Sequence, residues 1–251
     1  MKTTFYDFIF SGLAISFIIS SSIAIIWFII APLTKLYLGD YHAIFNFFVF
    51  LLLYGLMSGF TVQMLLKIKP FQYGDFSMED SQFTYWKLLT VIYLLGEFFL
   101  TPYNTVFTKP LIAKLFGAKI GKNVAIAGTI DDPYSVTIGD NSIIGQGSLI
   151  SGNFTTKDKI HFGKVVIGEN VTIGVNSVVS PDTQTGDNSV ISIGAVVLTG
   201  TNIPNNEIWR GNPARSWQSI TTKSELTTIT KVKSNENRDH QLTQPIKINL
   251  G

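Results

Sequence analysis

The chain has 251 residues, no cysteine, a net charge of +2, and only 14% charged residues beside 13% aromatics. So small a charge gives no argument for nucleic acid or an acidic polymer as the main partner, and no nucleic acid is expected. Without cysteine there is no disulfide framework, no thiolate metal site and no Cys nucleophile. Few charges and many rings point instead to a membrane, and the length allows one sizeable domain plus an appendage.

The amino-terminal third fits that reading. Phe8 to Ala31 carries no charge and precedes Pro32; Ala43 to Leu66 is also uncharged and is closed by Lys67, Lys69 and Pro70. Each is long enough for a helix to cross a hydrocarbon core of about 30 Å. A signal peptide is the competing reading of the first. Its apolar run is too long for that, and no small-x-small cleavage site follows. Lys2 precedes the first span and Lys67, Lys69 and Lys87 follow the second, whereas the connecting loop holds Lys35 beside Asp40. The positive-inside rule then places both ends, and all that follows them, in the cytoplasm. The expectation is a multi-pass protein of the cytoplasmic (inner) membrane, with residues 1–70 as the anchor.

Residues 71–119 read as a helical linker. Trp86 to Leu100 contains Lys87 and Glu97, and its uncharged core is too short to span. Two placements are open. It lies at the membrane interface with Trp86 and Tyr93 at headgroup level, or it caps the first coil of the solenoid described next. Pro102 ends it, and Leu111 to Phe116 forms a last short helix before Gly117.

From Ile120 the chain becomes an internal repeat. Aliphatics stand at Ile120, Ile126, Ile138, Ile144 and Ile150, then at Ile167, Ile173, Val179, Ile191, Val197 and Ile203. A period of six fits neither an α-helix nor a flat strand. It fits a parallel β-helix, one short strand and one tight turn per repeat. Gly121, Gly139, Gly145, Gly168 and Gly174 follow the aliphatic and are expected to supply a positive φ at the turn. Val124, Ser142, Ser148, Val171 and Ser177 fill a second fixed place. The two runs differ in phase, which locates an insertion at 154–164. At Asp132 an aliphatic is due and Asp-Pro stands instead, which marks an irregular corner. Asp131 and Asp132 read either as turn chemistry or as acceptor-binding carboxylates. Residues 218–251 are a polar tail rich in Thr, Ser, Asn and Lys, with no clear order beyond a short helix opening at Ser224.

The repeat, closed by Gly211-Asn212-Pro213-Ala214-Arg215, resembles the hexapeptide-repeat acyltransferases. The likeness covers residues 120–217. It implies a mainly β fold: a left-handed parallel β-helix of four to five coils, preceded here by two transmembrane helices and an interfacial or capping helix. The apolar helices and the Pro70–Gly74 segment before it also resemble the membrane-anchored terminal region of poly-amino-acid synthetases and of surface-glycan O-acetyltransferases. The implied activity is acyl transfer, most simply acetyl from acetyl-CoA to a surface-glycan or lipid-linked acceptor, in a homotrimer with sites between solenoids. Two alternatives stand beside it: an amide-forming domain of a peptide-synthetase-like system fed by a carrier-protein thioester, and a non-catalytic scaffold of a membrane complex.

The resemblance also locates the chemistry. Acyl transfer needs a base, oxyanion donors and a groove for the pantetheine arm. Where the family carries its catalytic His, this chain has Ser151-Gly152-Asn153, and Asn cannot be a base. His161, inside the insertion, is the only His of the solenoid. It reaches back as the base, with Asp158 holding its tautomer, or the acceptor is an amine or assists its own reaction; otherwise His161 is an ordinary loop residue under Phe162. Backbone amides at Ser192, Gly194 and Ala195 are expected at the thioester, and Arg210 and Arg215 at the CoA phosphates. Leu198-Thr199 stands where relatives place Thr-Lys, which puts Thr199 at the cofactor without the Lys. No metal is expected, because three His ligands, as in carbonic anhydrases of this fold, cannot come from a domain with one.

Overall fold

A computed structural model describes residues 5–219. Lys2 and the polar tail from Ile220 onward, with Ser224, Lys231, Lys233, Arg238 and His240, lie outside the described residues.

Helix α1 (Phe5–Ile25) runs through a π-helical turn (Ile26–Ile30) into α2 (Ala31–Leu38). Pro32 does not stop the helix. It sits in the first turn of α2, where a missing N–H is least costly. The reversal comes at Gly39, whose φ of 52° suits glycine, and the 3-10 turn Gly39–Tyr41. Helix α3 (His42–Ile68) then returns along α1 and α2, and Thr34 Oγ1 donates to Asn46 Oδ1 at 2.9 Å. The stretch Phe5–Ile68 is long and apolar enough to cross a membrane. Many of its rings face outward, Trp27 at 72% and Phe28 at 77% exposed, whereas Tyr54 is buried.

Strand β1 (Gly74–Ser77) follows, and then helix α4 (Ser81–Phe99). α4 packs against α3 and α1. Tyr93 is buried rather than set at headgroup level; its hydroxyl donates to Ile130 O at 2.8 Å and its ring meets Phe116 edge-on. A phenol that finds a carbonyl inside has no need of the interface. The open end of the solenoid is covered by α5 (Lys109–Leu115), whose Ala113 belongs to the solenoid core. Glycines on α3 permit close docking. Leu100 seats against Gly55, Leu115 against Gly59, and Gln63 Nε2 donates to Leu115 O at 2.8 Å.

The first coil holds β2 (Lys119–Ile120), β3 (Ala125–Ile126) and β4 (Thr129–Ile130). The second holds β5 (Val136–Ile138), β6 (Ile143–Ile144) and β7 (Leu149–Ile150). A hairpin of β8 (Asn153–Thr155) and β9 (Lys159–Phe162) interrupts the winding. The third coil holds β10 (Val165–Ile167), β11 (Thr172–Ile173) and β12 (Val178–Val179); the fourth, β13 (Gln184–Thr185), β14 (Val190–Ile191) and β15 (Val196–Val197). A last partial coil has β16 (Asn202–Ile203) and β17 (Glu207–Arg210), against which β18 (Arg215–Ser219) folds back antiparallel.

Every third strand stacks, which gives three parallel sheets: β2-β5-β10-β13-β16, β3-β6-β11-β14-β17 and β4-β7-β12-β15. This is the arrangement expected of the left-handed β-helix. Ile138 pairs with Ile167 across the insertion, so the phase shift read from the sequence is a true interruption of the register. Ile126, Ile144, Ile173 and Ile191 form one buried column.

The glycines serve a different purpose from the one expected. Left-handed φ at the corners belongs mainly to Asn123, Asn141, Asn170, Asn176, Asp182, Asn188 and Asn206. Gly139 and Gly145 have no positive φ. A Cβ at Gly139 would lie 2.6 Å from the Gly168 carbonyl carbon, and one at Gly145 2.7 Å from Val175 N. They are glycine because the next coil passes too close for a side chain.

Candidate functional site

The insertion is a docked sheet rather than a free loop. β9 pairs antiparallel with β8 on one side and with β1, from far upstream, on the other. Ile160 and Phe162 turn inward against Phe83, with Phe71, Phe76 and Trp86 packed around them. Alternation then turns His161 to the opposite face.

His161 sits between two carboxylates. Its Nδ1 lies 2.7 Å from Asp75 Oδ1 on β1, and its Nε2 2.6 Å from Asp182 Oδ2 at the corner after β12. Burial alone would lower its pKa, but the hydrogen bonds and charges of Asp182 and Asp75 prevail and raise it above 6.5. Asp182 is largely exposed and Asp75 more so, at 66% against 19% for the His161 side chain. Asp158, expected behind the ring, is replaced in that role by these two. Asp75 carries no local signal, since it lies 86 residues from His161. Asp182 follows Pro181 at a corner stacked on the insertion, which is a signal the repeat pattern could have supplied.

A second polar cluster lies behind the hairpin. Asp132 is 2% exposed and accepts from Trp86 Nε1 (2.9 Å), Tyr134 Oη (3.1 Å) and Asn153 Nδ2 (2.6 Å). Burial raises its pKa even though the three donors act to lower it. Asp131 is also raised, by burial first and by its neighbour's charge second. Asn153, at the position expected for a catalytic His, thus ties β8 to the irregular corner and, through Asp132, to α4.

The residues expected at the thioester gather on another edge of the prism. Ser192, Gly194 and Ala195 form the corner between β14 and β15. The closing motif lies against it: Val196 N donates to Gly211 O, and Ala214 N to Val196 O. The amides of Ser192, Gly194 and Ala195 already donate to Trp209, Val175 and Ser192 carbonyls. What this edge presents is the Ile193 side chain, 75% exposed, and an open face at Gly194, where a Cβ would meet nothing within 4 Å. Arg210 and Arg215 stand directly opposite each other on β17 and β18. Arg210 lies over the Trp217 ring at 4.2 Å, and both arginines are exposed. Thr199 is not with them; it lies on the insertion's edge, where Gly200 N donates to Pro181 O beside Asp182. The sequence-derived site therefore divides between two edges of one solenoid.

Among the described residues, no cluster of three or more His, Asp or Glu has metal-ligand geometry. The chain matches no protein-family model. It is 33% identical over 112 residues to "Putative acetyltransferase YvoF" of Bacillus subtilis (strain 168), covering 43% of this chain and 62% of that protein. It is 32% identical over 133 residues to the galactoside O-acetyltransferase of Escherichia coli (strain K12), covering 49% of this chain and 64% of the relative. The chain thus spans somewhat under two thirds of these curated relatives, which are acetyltransferases by name. A solved galactoside acetyltransferase in complex with coenzyme A superposes with a TM-score of 0.48 at 24% identity, over 60% of this chain and 88% of that one. Similar solved structures include acetyltransferases of the hexapeptide-repeat class, one of them holding acetyl-coenzyme A.

Proposed function

We propose that this chain transfers an acetyl group from acetyl-CoA to a hydroxyl of a glycan or lipid-linked acceptor at the cytoplasmic face of a membrane. The observation that carries the reading is the solenoid itself, its sequence likeness to sugar acetyltransferases joined to an outward-facing apolar helical hairpin. In the transfer, an acceptor oxygen attacks the thioester carbonyl, the C–S bond breaks, and the acceptor proton ends on the CoA sulfur.

The helical hairpin crosses the bilayer twice, with the Gly39–Tyr41 turn outside. Each limb exceeds the roughly 20 residues a span needs, and so much exposed apolar surface is otherwise costly in water.

His161 is the base in this scheme. It cannot take a proton while both nitrogens donate to carboxylates. Acceptor binding displaces the exposed Asp75, which carries the Nδ1 proton out to solvent; the bare Nδ1 then takes the acceptor's proton, while Asp182 stays on Nε2–H and stabilises the imidazolium that re-forms. Ser192, Gly194 and Ala195 line the thioester, Thr199 the approach to it, and Arg210 and Arg215 meet phosphate. Because these groups occupy different edges, the complete site forms between solenoids of a homotrimer, one chain giving His161 and its neighbour the CoA edge.

The test is acetyl-CoA turnover by the purified chain in nanodiscs with an alkyl glycoside acceptor. His161→Ala and Asp182→Asn are expected to lose at least 100-fold in kcat, and Asp75→Asn to keep activity. Full activity in His161→Ala removes the base assignment. It favours an amine acceptor, the amide-forming alternative, which Asn153 at the expected His position already suits.

A further inference from the structure

Between α1 and α4 runs an open groove of about 510 Å³. Phe8, Gly12 and Ile15 of α1 form one wall; Trp86, Thr90 and Val91 of α4 form the other. From Phe8 to Ile15 it extends about 10 Å along the helix axis, at 1.5 Å per residue.

Three features set it apart from an ordinary helix seam. A Cβ at Gly12 would meet nothing within 4 Å, so the glycine leaves room that packing does not use. The Thr90 hydroxyl is buried there without a hydrogen-bond partner, and such a group is normally satisfied. The groove also has a polar end, where Lys87 is paired with Asp7. Trp86 connects it to the rest of the molecule: one side lines the groove while its indole N–H holds Asp132, which in turn holds Asn153 of the insertion.

We infer that this groove holds the hydrocarbon chain of a lipid-linked acceptor. The inference rests on the acyl-transfer reading above and names the acceptor class that reading leaves general. The occupant is a lipid because the groove is continuous with the exposed apolar face of α1, where Phe8 and Leu13 lie open. Its volume lies within the range of ligand-sized pockets. A chain entering sideways from the bilayer needs no opening of the helices, and Thr90 offers a hydrogen bond to an ester or ether oxygen.

The test uses the full chain in nanodiscs with a hexadecyl glucoside carrying a diazirine in its alkyl tail. Illumination is expected to place adducts within residues 8–15 and 86–91, removed by excess unlabelled hexadecyl glucoside. Gly12→Trp fills the groove and should reduce those adducts at least 10-fold. It should also raise KM for hexadecyl glucoside at least 10-fold while leaving KM for acetyl-CoA unchanged. Thr90→Val, which alters no volume, should reduce labelling by a smaller factor and serves as the check if Gly12→Trp fails to fold. Adducts spread over all exposed apolar helices, without competition, overturn the groove. Turnover of a water-soluble sugar with no groove labelling sinks this inference alone. Labelling without any turnover sinks the transferase reading and leaves the lipid site.

Discussion

The coils and the junction that joins them to the helices are built by opposite means. In the coils every interior contact repeats one turn away: Ile126, Ile144 and Ile173 pair in register, and neighbouring coils are 18 residues apart where no insertion intervenes. In the junction each contact is made once and over long range. β1 meets β9 some 86 residues later, and Trp86 meets Asp132 at a separation of 46. A repeat distributes its stability over many equal contacts. A junction concentrates it in a few polar groups, so one substitution there does more than its burial alone would indicate.

Substitutions at matched positions would sharpen or break that contrast. The largest effect is expected inside a coil, where backbone passes closest. Gly139→Val forces atoms to within 2.6 Å of the next coil's backbone, and the prediction is loss of the folded solenoid, seen as loss of strand signal by circular dichroism. If the protein folds normally, the close-approach account of these glycines is wrong. Next comes Asp132→Ala, which strands the Trp86, Tyr134 and Asn153 donors together. A cost of about 2–3 kcal/mol is expected from unpaired buried donors, read as a lower thermal midpoint in detergent. A change indistinguishable from that of a surface alanine would mean that the junction does not depend on this carboxylate.

Gly194→Ala should cost only about 1 kcal/mol. The position has φ 66° but open space around it, so strain acts alone. The smallest effect is a pH dependence at the hairpin. The pKa of His161 is raised above its ordinary 6.5. Its bonds to Asp75 and Asp182 therefore stabilise fully below about pH 6.5, and that contribution is lost as pH rises through the raised folded value. These carboxylates are substantially exposed, so the gain is under about 1 kcal/mol. Amide exchange in residues 153–162, corrected for its intrinsic pH dependence, should quicken on the alkaline side and show no such step in His161→Asn.

Legibility in the sequence followed the same division. The period of six, the phase shift at the insertion and the closing Gly211–Arg215 motif are local patterns, and the coils follow them. The irregular corner at Asp132 was visible because an acid occupied an aliphatic's place. Its partners were not, since nothing near Trp86 or Asn153 announces a shared carboxylate. Tyr93 looked like an interfacial ring because helices α1 and α3 were read in isolation. Only packing showed that α4 lies between them and the solenoid. Asp75, one of the two carboxylates that flank His161, sits in a strand too short to be read from four residues.

Transfer itself is the most direct measurement. The full chain in nanodiscs would be given acetyl-CoA labelled in its acetyl group, together with hexadecyl glucoside. The account predicts base-labile acetyl label in the organic-phase glycolipid, dependent on protein and absent from His161→Ala. Label that stays on acetyl-CoA, or appears only as free acetate whatever acceptor is supplied, would contradict it.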